Sequence, residues 1–395
     1  MSSDVNLLAD LVGTHPQPLL QRLREERPVT PLEMPDGARI WLVTRYEEAR
    51  LALSDGRFSN RLARGGTSGA GRGSPTSHHM LSADPPDHTR LRRLVSAGFT
   101  ARRVERLEPR IAALTGELLD GLGGDVDLID VFAFPLPIQV ICELLGVPSA
   151  DRDSFRTWSN TVVSGSLTGD PALVDAVRAT VAEMVGYITK LLAAKRRAPA
   201  DDLLSALLDV REEGDQLTED ELVSMVFLLL IAGHETTVNL IGNGMYLLLT
   251  HPEQLDEVKR DRDRLAGAIE EFLRFEPPVK TSTIRITSEP VTLGETTIPA
   301  GEPVLISLLS ANHDEAVFPG ADQFDITRRD AGHLAFGHGI HFCLGAALAR
   351  LEGRVAIGAL LDRFPDVRLA VAPEELTWRP GLLIRGLATL PVHLA

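Results

Sequence analysis

The chain has 395 residues, 44% of them hydrophobic, which is enough for a large core and, by length alone, for two or three domains. Its formal net charge of −15 argues against a protein that coats nucleic acid, because such binding depends on clustered basic residues. Two cysteines, Cys142 and Cys343, cannot form a disulfide framework and fit a reducing compartment.

The N-terminal part predicts a strand, a helix and a loop. Residues 38–44, ARIWLVT, follow the turn sequence PDG and predict a strand, and the spacing in RYEEARLALSD predicts a helix after it. Residues 61–81 are rich in Gly, Ser and Thr and predict a loop, either a linker or a lid over a site. No basic start followed by an apolar run marks a signal peptide or anchor, so we expect a soluble, cytoplasmic protein without a membrane span.

The rest of the chain is mostly helical, with a smaller β part near its end. Helical spacing dominates from residue 88 to about 275, and Cys142 within it is expected to be a buried thiol. PVTLGETTIPAGEPVLIS, at 290–307, predicts short strands, and LLIRGLATLPVHL, at 382–394, predicts a last hairpin. The fold class is therefore mainly α with a minor β part.

One segment, 217–250, predicts a helix that crosses the whole molecule. Thr218 and Glu221 have the spacing of a capping box at its start. About 30 helical residues would span roughly 45 Å at about 1.5 Å per residue. The sequence on both sides of the centre is apolar enough to be buried.

The centre of this helix is polar. Glu235 is costly to bury without a partner, and the Thr236 hydroxyl can bond the carbonyl of Ala232, which would loosen the helix there. Such a site could hold water or a small gas molecule, although a surface patch on an amphipathic helix is an alternative. A zinc-protease motif is excluded because Val238 occupies the position of its second histidine.

The segment HLAFGHGIHFCLGAALAR, at 333–350, places Cys343 between a glycine-rich loop and a helix start. Three chemical uses compete, besides a purely structural one. A zinc site could use Cys343 with His333, His338 and His341, and a catalytic thiol could use a nearby histidine base. The third use is a thiolate bound to haem iron, for which Gly337 and Gly339 would let the backbone fold around the sulfur.

Further features of the loop suit the third use. The helix start directs backbone N–H groups at the sulfur and is expected to lower the pKa of the Cys343 thiol. Phe336 can shield the sulfur, and Gly345 leaves room for the helix to approach a macrocycle.

The sequence FGHGIHFCLG, at 336–345, resembles the haem-binding loop of the cytochrome P-450 monooxygenases. Four further segments resemble that family in the same order: HTRLR with His88 and Arg92, AGHETT at 232–237, EEFLR with Glu271 and Arg274, and FDITR ending at Arg328. The resemblance covers roughly residues 40–395.

The resemblance implies a fold and a cofactor. It implies a single-domain cytochrome P-450 fold over residues 1–395, a triangular prism of helices with haem b between the long central helix and the Cys-loop helix. Its β-rich parts would be approximately 28–45, 280–310 and 380–395, and its helical parts approximately 85–275 and 343–363. Cys343 would be the axial ligand of the haem iron.

The resemblance also implies roles for other residues. The haem propionates would be held by His88, Arg92, Arg285 and His341, and further haem contacts would come from Phe336, Gly337, Gly345 and Ala232. Glu235 and Thr236 would guide protons to dioxygen. A buried ion network of Glu271, Arg274 and Arg328 would stabilise the core.

The implied reaction is the insertion of one oxygen atom from O2 into a C–H or C=C bond. Electrons from NAD(P)H would arrive through a ferredoxin reductase and a ferredoxin, and seven arginines between positions 90 and 110 could form the docking face. The alternatives are a haem protein that only binds gas and a peroxide-driven haem enzyme.

The substrate is expected to be a lipophilic small molecule, such as a macrolide or other polyketide, a terpene or a steroid. The walls of the substrate pocket would include the 61–81 loop, residues 160–180, Ala232, and the side chains Val279, Thr283, Leu383 and Ile384. These are mostly apolar or small, which favours a bulky molecule with little charge. We expect a monomer.

Overall fold

The computed structural model describes residues 4–34, 37–63, 76–96, 98–165, 171–210, 215–329 and 332–395. Residues 64–75 of the predicted lid, and residues 166–170 of the predicted substrate wall, lie outside these ranges. The α-helices of the described part are α1 (Asp4–Val12), α2 (Gln17–Glu26), α3 (Tyr46–Ser54), α4 (Asn60–Ala63), α5 (Asp87–Ser96), α6 (Ala101–Leu119), α7 (Pro135–Leu145), α8 (Arg152–Gly165), α9 (Pro171–Arg197), α10 (Leu203–Asp209), α11 (Glu219–Thr250), α12 (Pro252–Arg260), α13 (Leu265–Phe275), α14 (Leu308–Ala311) and α15 (Ala346–Arg363).

The β part is smaller. Its strands are β1 (Val29–Glu33), β2 (Arg39–Val43), β3 (Phe58–Ser59), β4 (Gly124–Asp127), β5 (Arg285–Thr287), β6 (Val291–Leu293), β7 (Thr296–Ile298), β8 (Pro303–Ile306), β9 (Arg368–Leu369) and β10 (Pro391–Leu394). The largest sheet has the order β1-β2-β8-β5-β3, in which β2 and β8 run parallel and the other neighbours antiparallel. The strand predicted at 38–44 is confirmed as β2, and the strands predicted within 290–307 are confirmed as the hairpin β6-β7 and strand β8.

The hairpin predicted at 382–394 is wrong. Strand β10 pairs instead with β4 and β9, whereas Ile384 forms an isolated bridge with Val279 and Leu387 forms one with Trp378. Alternating apolar residues predict that a segment is extended but do not choose its partner. Here the partners come from other parts of the chain.

Helix α11 forms the centre of the main hydrophobic core. It has 32 residues and spans roughly 48 Å. Its capping box is confirmed, because the Thr218 hydroxyl accepts from the Glu221 N–H at 3.3 Å and the Glu221 carboxylate accepts from the Thr218 N–H at 2.9 Å. The helix is long and apolar enough to span a membrane, yet 67% of its most apolar window is buried inside the fold, which makes it a core helix.

The packing of α15 brings the loop at residues 336–345, called the cysteine loop below, to this core helix. Helix α15 packs against α6, α11 and α13, and it begins three residues after Cys343. The loop around Cys343 is therefore anchored to the same core that contains the polar centre of α11.

Candidate active site

The backbone around Cys343 is tightly turned. Gly337 and Gly339 have φ values of +71° and +72°, a region that side chains other than glycine rarely adopt. A Cβ at Gly339 would also lie 2.9 Å from the Cα of Ser54. The Cys343 N–H donates to the Phe336 carbonyl at 2.9 Å, which closes the loop just before α15.

The Cys343 thiol does not have the lowered pKa that the sequence predicts. Burial raises the pKa of this thiol, and this effect outweighs the Gly345 backbone N–H and the charges of Arg92 and Arg350, which lower it. A raised pKa disfavours a catalytic thiol, and a bound metal ion would deprotonate the sulfur outright. Protein atoms surround the sulfur on most sides, yet Cys343 remains accessible.

The other alternative uses of the loop are also disfavoured. Within the described ranges, no group of three or more His, Cys, Asp or Glu side chains is arranged to hold a metal ion, which removes the zinc alternative. A Cβ at Gly345 would have Cys343 Sγ as its neighbour, at 4.0 Å, so the space beside Gly345 is bounded by the sulfur.

Phe336 lies beside an ion network of Arg350, Glu270 and His333 that the sequence did not predict. The Arg350 guanidinium carbon lies 4.5 Å from the centre of the Phe336 ring, and its nitrogens donate to the Glu270 carboxylate at 2.7 and 2.8 Å. His333 Nε2 lies 3.1 Å from the same carboxylate. Burial alone would raise the pKa of Glu270, but Arg350 and His333 lower it to about 2. Glu270 thus fixes Arg350 over Phe336.

Four basic side chains predicted to act together do lie together. The rings of His88 and His341 have their centres 4.4 Å apart, and Arg92 Nη2 donates to the Phe342 carbonyl at 2.7 Å. The pKa of His341 is lowered to about 3 by burial and then by the charges of His88, Arg285 and Arg92.

The positive charge of this basic cluster comes from Arg92 and Arg285, because burial lowers the pKa of both histidines. Arg285 is buried and donates to the carbonyls of Ala52 and Leu53, but its Nε has no partner in the described residues. Neither ring nitrogen of His88 has a partner there. Burial lowers the pKa of Arg285 to about 10, with the carboxylate of Asp84 acting in the opposite direction. Unpartnered donors and mutual repulsion are the features of an anion site.

On α11, one face is open within an otherwise buried stretch. Ala232 is exposed and Thr236 half-buried, one helical turn apart, while His234 and Glu235 are buried. The Thr236 hydroxyl donates to the Ala232 carbonyl at 3.1 Å, as the sequence predicts. The helix nonetheless continues unbroken through this turn. Ala232 and Thr236 therefore lie on an accessible face of α11.

Glu235 has a partner that the sequence did not predict. Its Oε1 accepts a hydrogen bond from Arg379 Nη1 at 2.8 Å, and its Oε2 lies 3.9 Å from His234 Nε2. Burial lowers the pKa of His234, so this imidazole is neutral. The Glu235 carboxylate thus forms an ion pair with the Arg379 guanidinium.

The predicted ion network of Glu271, Arg274 and Arg328 is present and buried. Arg274 donates to Glu271 through Nε at 2.8 Å and Nη2 at 2.7 Å, and Arg328 Nε lies 3.4 Å from Glu271 Oε2. Arg328 also donates to the carbonyls of Pro319 and Gly320 at 2.9 Å. The network joins α13 to the segment that precedes the cysteine loop.

The comparisons with known proteins fit this geometry. Residues 172–375 match the family model described as cytochrome P-450. A relative from Saccharopolyspora erythraea, cytochrome P-450 107B1, is 52% identical over 94% of this chain and 93% of its own length. The chain belongs to the cytochrome P-450 family.

Two further relatives extend the comparison. The vitamin D(3) 25-hydroxylase of Pseudonocardia autotrophica is 50% identical and covers 98% of this chain and 96% of its own. The structure of the tirandamycin C-bound P-450 monooxygenase TamI superposes with a TM-score of 0.88 at 48% identity, covering 96% of this chain and 97% of that one. The predicted fold and the monooxygenase class are confirmed. As a cytochrome P-450, the protein uses haem b, O2 and electrons derived from NAD(P)H.

The described residues of this cytochrome P-450 fit haem. The two propionates of haem need cationic partners, and the cluster of His88, Arg92, Arg285 and His341 offers nitrogens without partners. Cys343 and Ala232 are both exposed. The donor set of one sulfur and several cations suits an anionic iron porphyrin.

The predicted substrate residues lie on two paired segments. Val279 bridges to Ile384, the Lys280 N–H donates to the Leu383 carbonyl at 2.8 Å, and Thr283 is exposed at the end of its segment. The structure therefore brings Val279, Leu383 and Ile384 together. It describes neither residues 64–75 nor 166–170 of the predicted wall.

Proposed function

We propose that Cys343 is the axial ligand of the haem iron and that this cytochrome P-450 hydroxylates or epoxidises a lipophilic small molecule. When bound through a thiolate, haem supplies the activation of O2 with two electrons from NAD(P)H. The observation that carries the proposal is an accessible Cys343 beside a basic cluster in which His88 and Arg285 have nitrogens without partners among the described residues.

The loop and the cluster have separate tasks in this proposal. His88, Arg92, Arg285 and His341 bind the propionates and set the orientation of the ring. The other proposed haem contacts are Phe336, Gly337, Gly345 and Ala232. The Gly345 N–H directed at Cys343 restrains electron donation by the sulfur. Phe336, held beneath Arg350, keeps water from the sulfur.

Glu235 and Thr236 are the proposed catalytic pair. The Thr236 hydroxyl lies on the accessible face of α11, and by turning away from the Ala232 carbonyl it can donate to a ligand bound at that face. Glu235 is the nearest acid along the helix and can reload that hydroxyl through water. Their task is proton delivery, since neither has the setting of a nucleophile.

Thr236→Ala should retain haem and substrate binding while wasting reducing equivalents as peroxide. Loss of one proton donor costs roughly 10²-fold in general acid catalysis, so product formed per NAD(P)H oxidised should fall by about tenfold or more. Thr236→Ser, which retains a hydroxyl, should recover most of the yield. The buried neighbour Thr237 provides the control, because Thr237→Val should keep the normal ratio. An unchanged ratio in Thr236→Ala would contradict the role.

The substrate proposed is a bulky, weakly polar molecule, such as a macrolide or other polyketide, a terpene or a steroid. The paired segments that carry Val279, Leu383 and Ile384 offer apolar side chains, and Thr283 adds a single hydroxyl. The two relatives named for vitamin D(3) and for bound tirandamycin C support this class. A difference-spectrum screen of lipophilic natural products, reading the displacement of iron-bound water, tests it.

The proposed electron donors are a ferredoxin and its reductase, in the cytoplasm, acting on a monomeric enzyme. Of the seven arginines between 90 and 110, Arg90 pairs with Glu221 and Arg110 with Glu143. Three others, Arg102, Arg103 and Arg106, are exposed at the start of α6 and have no acidic partner in the described part of the chain.

Two exposed apolar residues extend the proposed docking face. Ile340 and Phe342 are exposed large hydrophobic residues of the cysteine loop, with 43% and 41% of their surface accessible. Arg92 links α5 to the loop through the Phe342 carbonyl, and α6 packs along α15. A basic rim around an apolar centre suits an acidic ferredoxin.

Reversing the charge of Arg102, Arg103 and Arg106 to glutamate should lower the second-order rate of reduction by ferredoxin at low salt by roughly tenfold or more. The wild-type rate should fall with added salt, and the variant should lose most of that dependence. Arg260→Glu, on the exposed surface of α12, is the matched control and should change the rate little. A wild-type rate that is independent of salt would exclude the docking face.

A further inference from the structure

A polar cluster on α11 joins Glu235 to the C-terminal part of the chain. Arg379 Nη1 donates to Glu235 Oε1 at 2.8 Å, and Arg379 Nη2 donates to Asn239 Oδ1 at 2.7 Å. Asn239 Nδ2 in turn donates to the backbone carbonyl of Glu235 at 2.7 Å. Because Glu235 and Asn239 are one helical turn apart, a single guanidinium spans both side chains.

Arg379 is itself held in place by close packing. Its backbone N–H donates to the Gly386 carbonyl at 2.8 Å, beside the bridge between Trp378 and Leu387. A Cβ at Gly386 would lie 1.7 Å from Asn239 Oδ1, so this segment can approach α11 only because residue 386 is glycine. The position of the guanidinium is therefore set by the fold rather than by a flexible side chain.

The exposures of the two partners differ. The Glu235 side chain is 3% accessible, whereas the Arg379 side chain is 33% accessible. Water therefore reaches the Arg379 side chain, but it has almost no direct access to the Glu235 carboxylate. Arginine does not release its proton in proteins, so Arg379 cannot carry protons itself. Its contribution must lie in charge and geometry.

We infer that Arg379 is a positioning residue for oxygen activation: it keeps Glu235 as an oriented carboxylate and links that buried group to water. The inference rests on the proposed function, in which Glu235 and Thr236 deliver protons. A carboxylate paired with a guanidinium stays ionised and ready to accept a proton from water. Without Arg379, the buried carboxyl group would instead take up a proton and lose its fixed orientation.

Arg379→Gln tests this directly, because glutamine can still donate a hydrogen bond but carries no charge. In the wild-type enzyme, product per NAD(P)H should not change between about pH 6 and 8.5, because Arg379 holds the Glu235 carboxylate in one orientation throughout. In Arg379→Gln, the buried carboxyl group loses its charged partner, so the pH profile of this ratio should gain an inflection in the same range. His234, the other titratable group described near this carboxylate, stays neutral because burial lowers its pKa.

Matched variants show whether the inflection in the pH profile of Arg379→Gln comes from Glu235. It should disappear in the double variant Glu235→Gln with Arg379→Gln, and Arg379→Lys should restore the wild-type profile. Thermal unfolding gives a second readout: the melting temperature should fall in Arg379→Gln and recover partly in the double variant, since no buried carboxylate is then left unpaired.

The outcomes distinguish a failure of the role inferred for Arg379 from a failure of the catalytic role proposed for Glu235. If Glu235→Gln leaves product per NAD(P)H unchanged, the catalytic role of Glu235 fails. If Glu235→Gln lowers that ratio but the Arg379→Gln profile matches the wild type, the role of Arg379 alone is wrong. Haem content, measured in every variant from the carbon monoxide complex, must match the wild type for the ratios to be compared.

Discussion

Arg274→Ala should yield protein that is haem-free or aggregated. The side chain is 1% accessible and uses all five of its N–H groups, two on Glu271 and three on the carbonyls of Asn312, Ala321 and Gln323. Removing it leaves the Glu271 carboxylate buried, with Arg328 at 3.4 Å as its remaining charged partner. Breaking one partner from a buried ion pair costs about 3 to 5 kcal/mol. That is a large share of the roughly 5 to 15 kcal/mol by which domains are stable.

The measurement is the ratio of haem absorbance to protein in the soluble fraction, together with the melting temperature. A surface ion pair supplies the control: Arg354 pairs with Glu108 at 3.1 Å with about half of each side chain exposed, so Arg354→Ala should cost at most about 1 kcal/mol. Arg274→Lys keeps the charge but cannot make five hydrogen bonds, and should be intermediate. Normal haem content and stability in Arg274→Ala would refute the structural role.

Local spacing accounts for much of what the sequence predicted. Glu271 and Arg274 are three residues apart on α13, and Thr218 and Glu221 are three apart at the start of α11, so helical geometry alone brings each pair together. These contacts follow from the periodicity of one element. They do not require knowledge of how the elements pack.

Contacts between distant segments could not be predicted in this way. Arg379 is 144 residues from Glu235, and β10 pairs with β4 across more than 260 residues. Nothing in the segment around Arg379 distinguishes a buried partner from a surface charge. Glu270 was missed for a related reason, because its neighbour Glu271 already explained the motif.

The direction of the Cys343 pKa shift was missed because two opposing effects had to be weighed. The Gly345 N–H lowers the pKa of the thiol as the sequence predicts, and Arg92 and Arg350 add to this, but burial is the larger effect. The extent of burial depends on the packing of α15 against its neighbours, which spacing does not give. Motifs thus identify which groups act, whereas packing decides their protonation.

Cys343→Ser should abolish monooxygenase activity and the red-shifted Soret band of the reduced carbon monoxide complex. That band depends on a thiolate, and iron deprotonates a coordinating thiol despite the raised pKa of Cys343 in the protein alone. A serine hydroxyl is far less acidic and stays protonated, so the strong electron donation of sulfur is lost.

The same variant should still bind some haem, since the basic groups proposed to hold the propionates are unchanged. His88, Arg285 and His341 are positioned by α5, β5 and the cysteine loop, and none of their described contacts involves the Cys343 sulfur. Cys142→Ala is the matched control, because this second thiol is fully buried in α7, and its Soret band should be that of the wild type. A red-shifted band that persists in Cys343→Ser, or is lost in Cys142→Ala, would assign the iron ligand elsewhere.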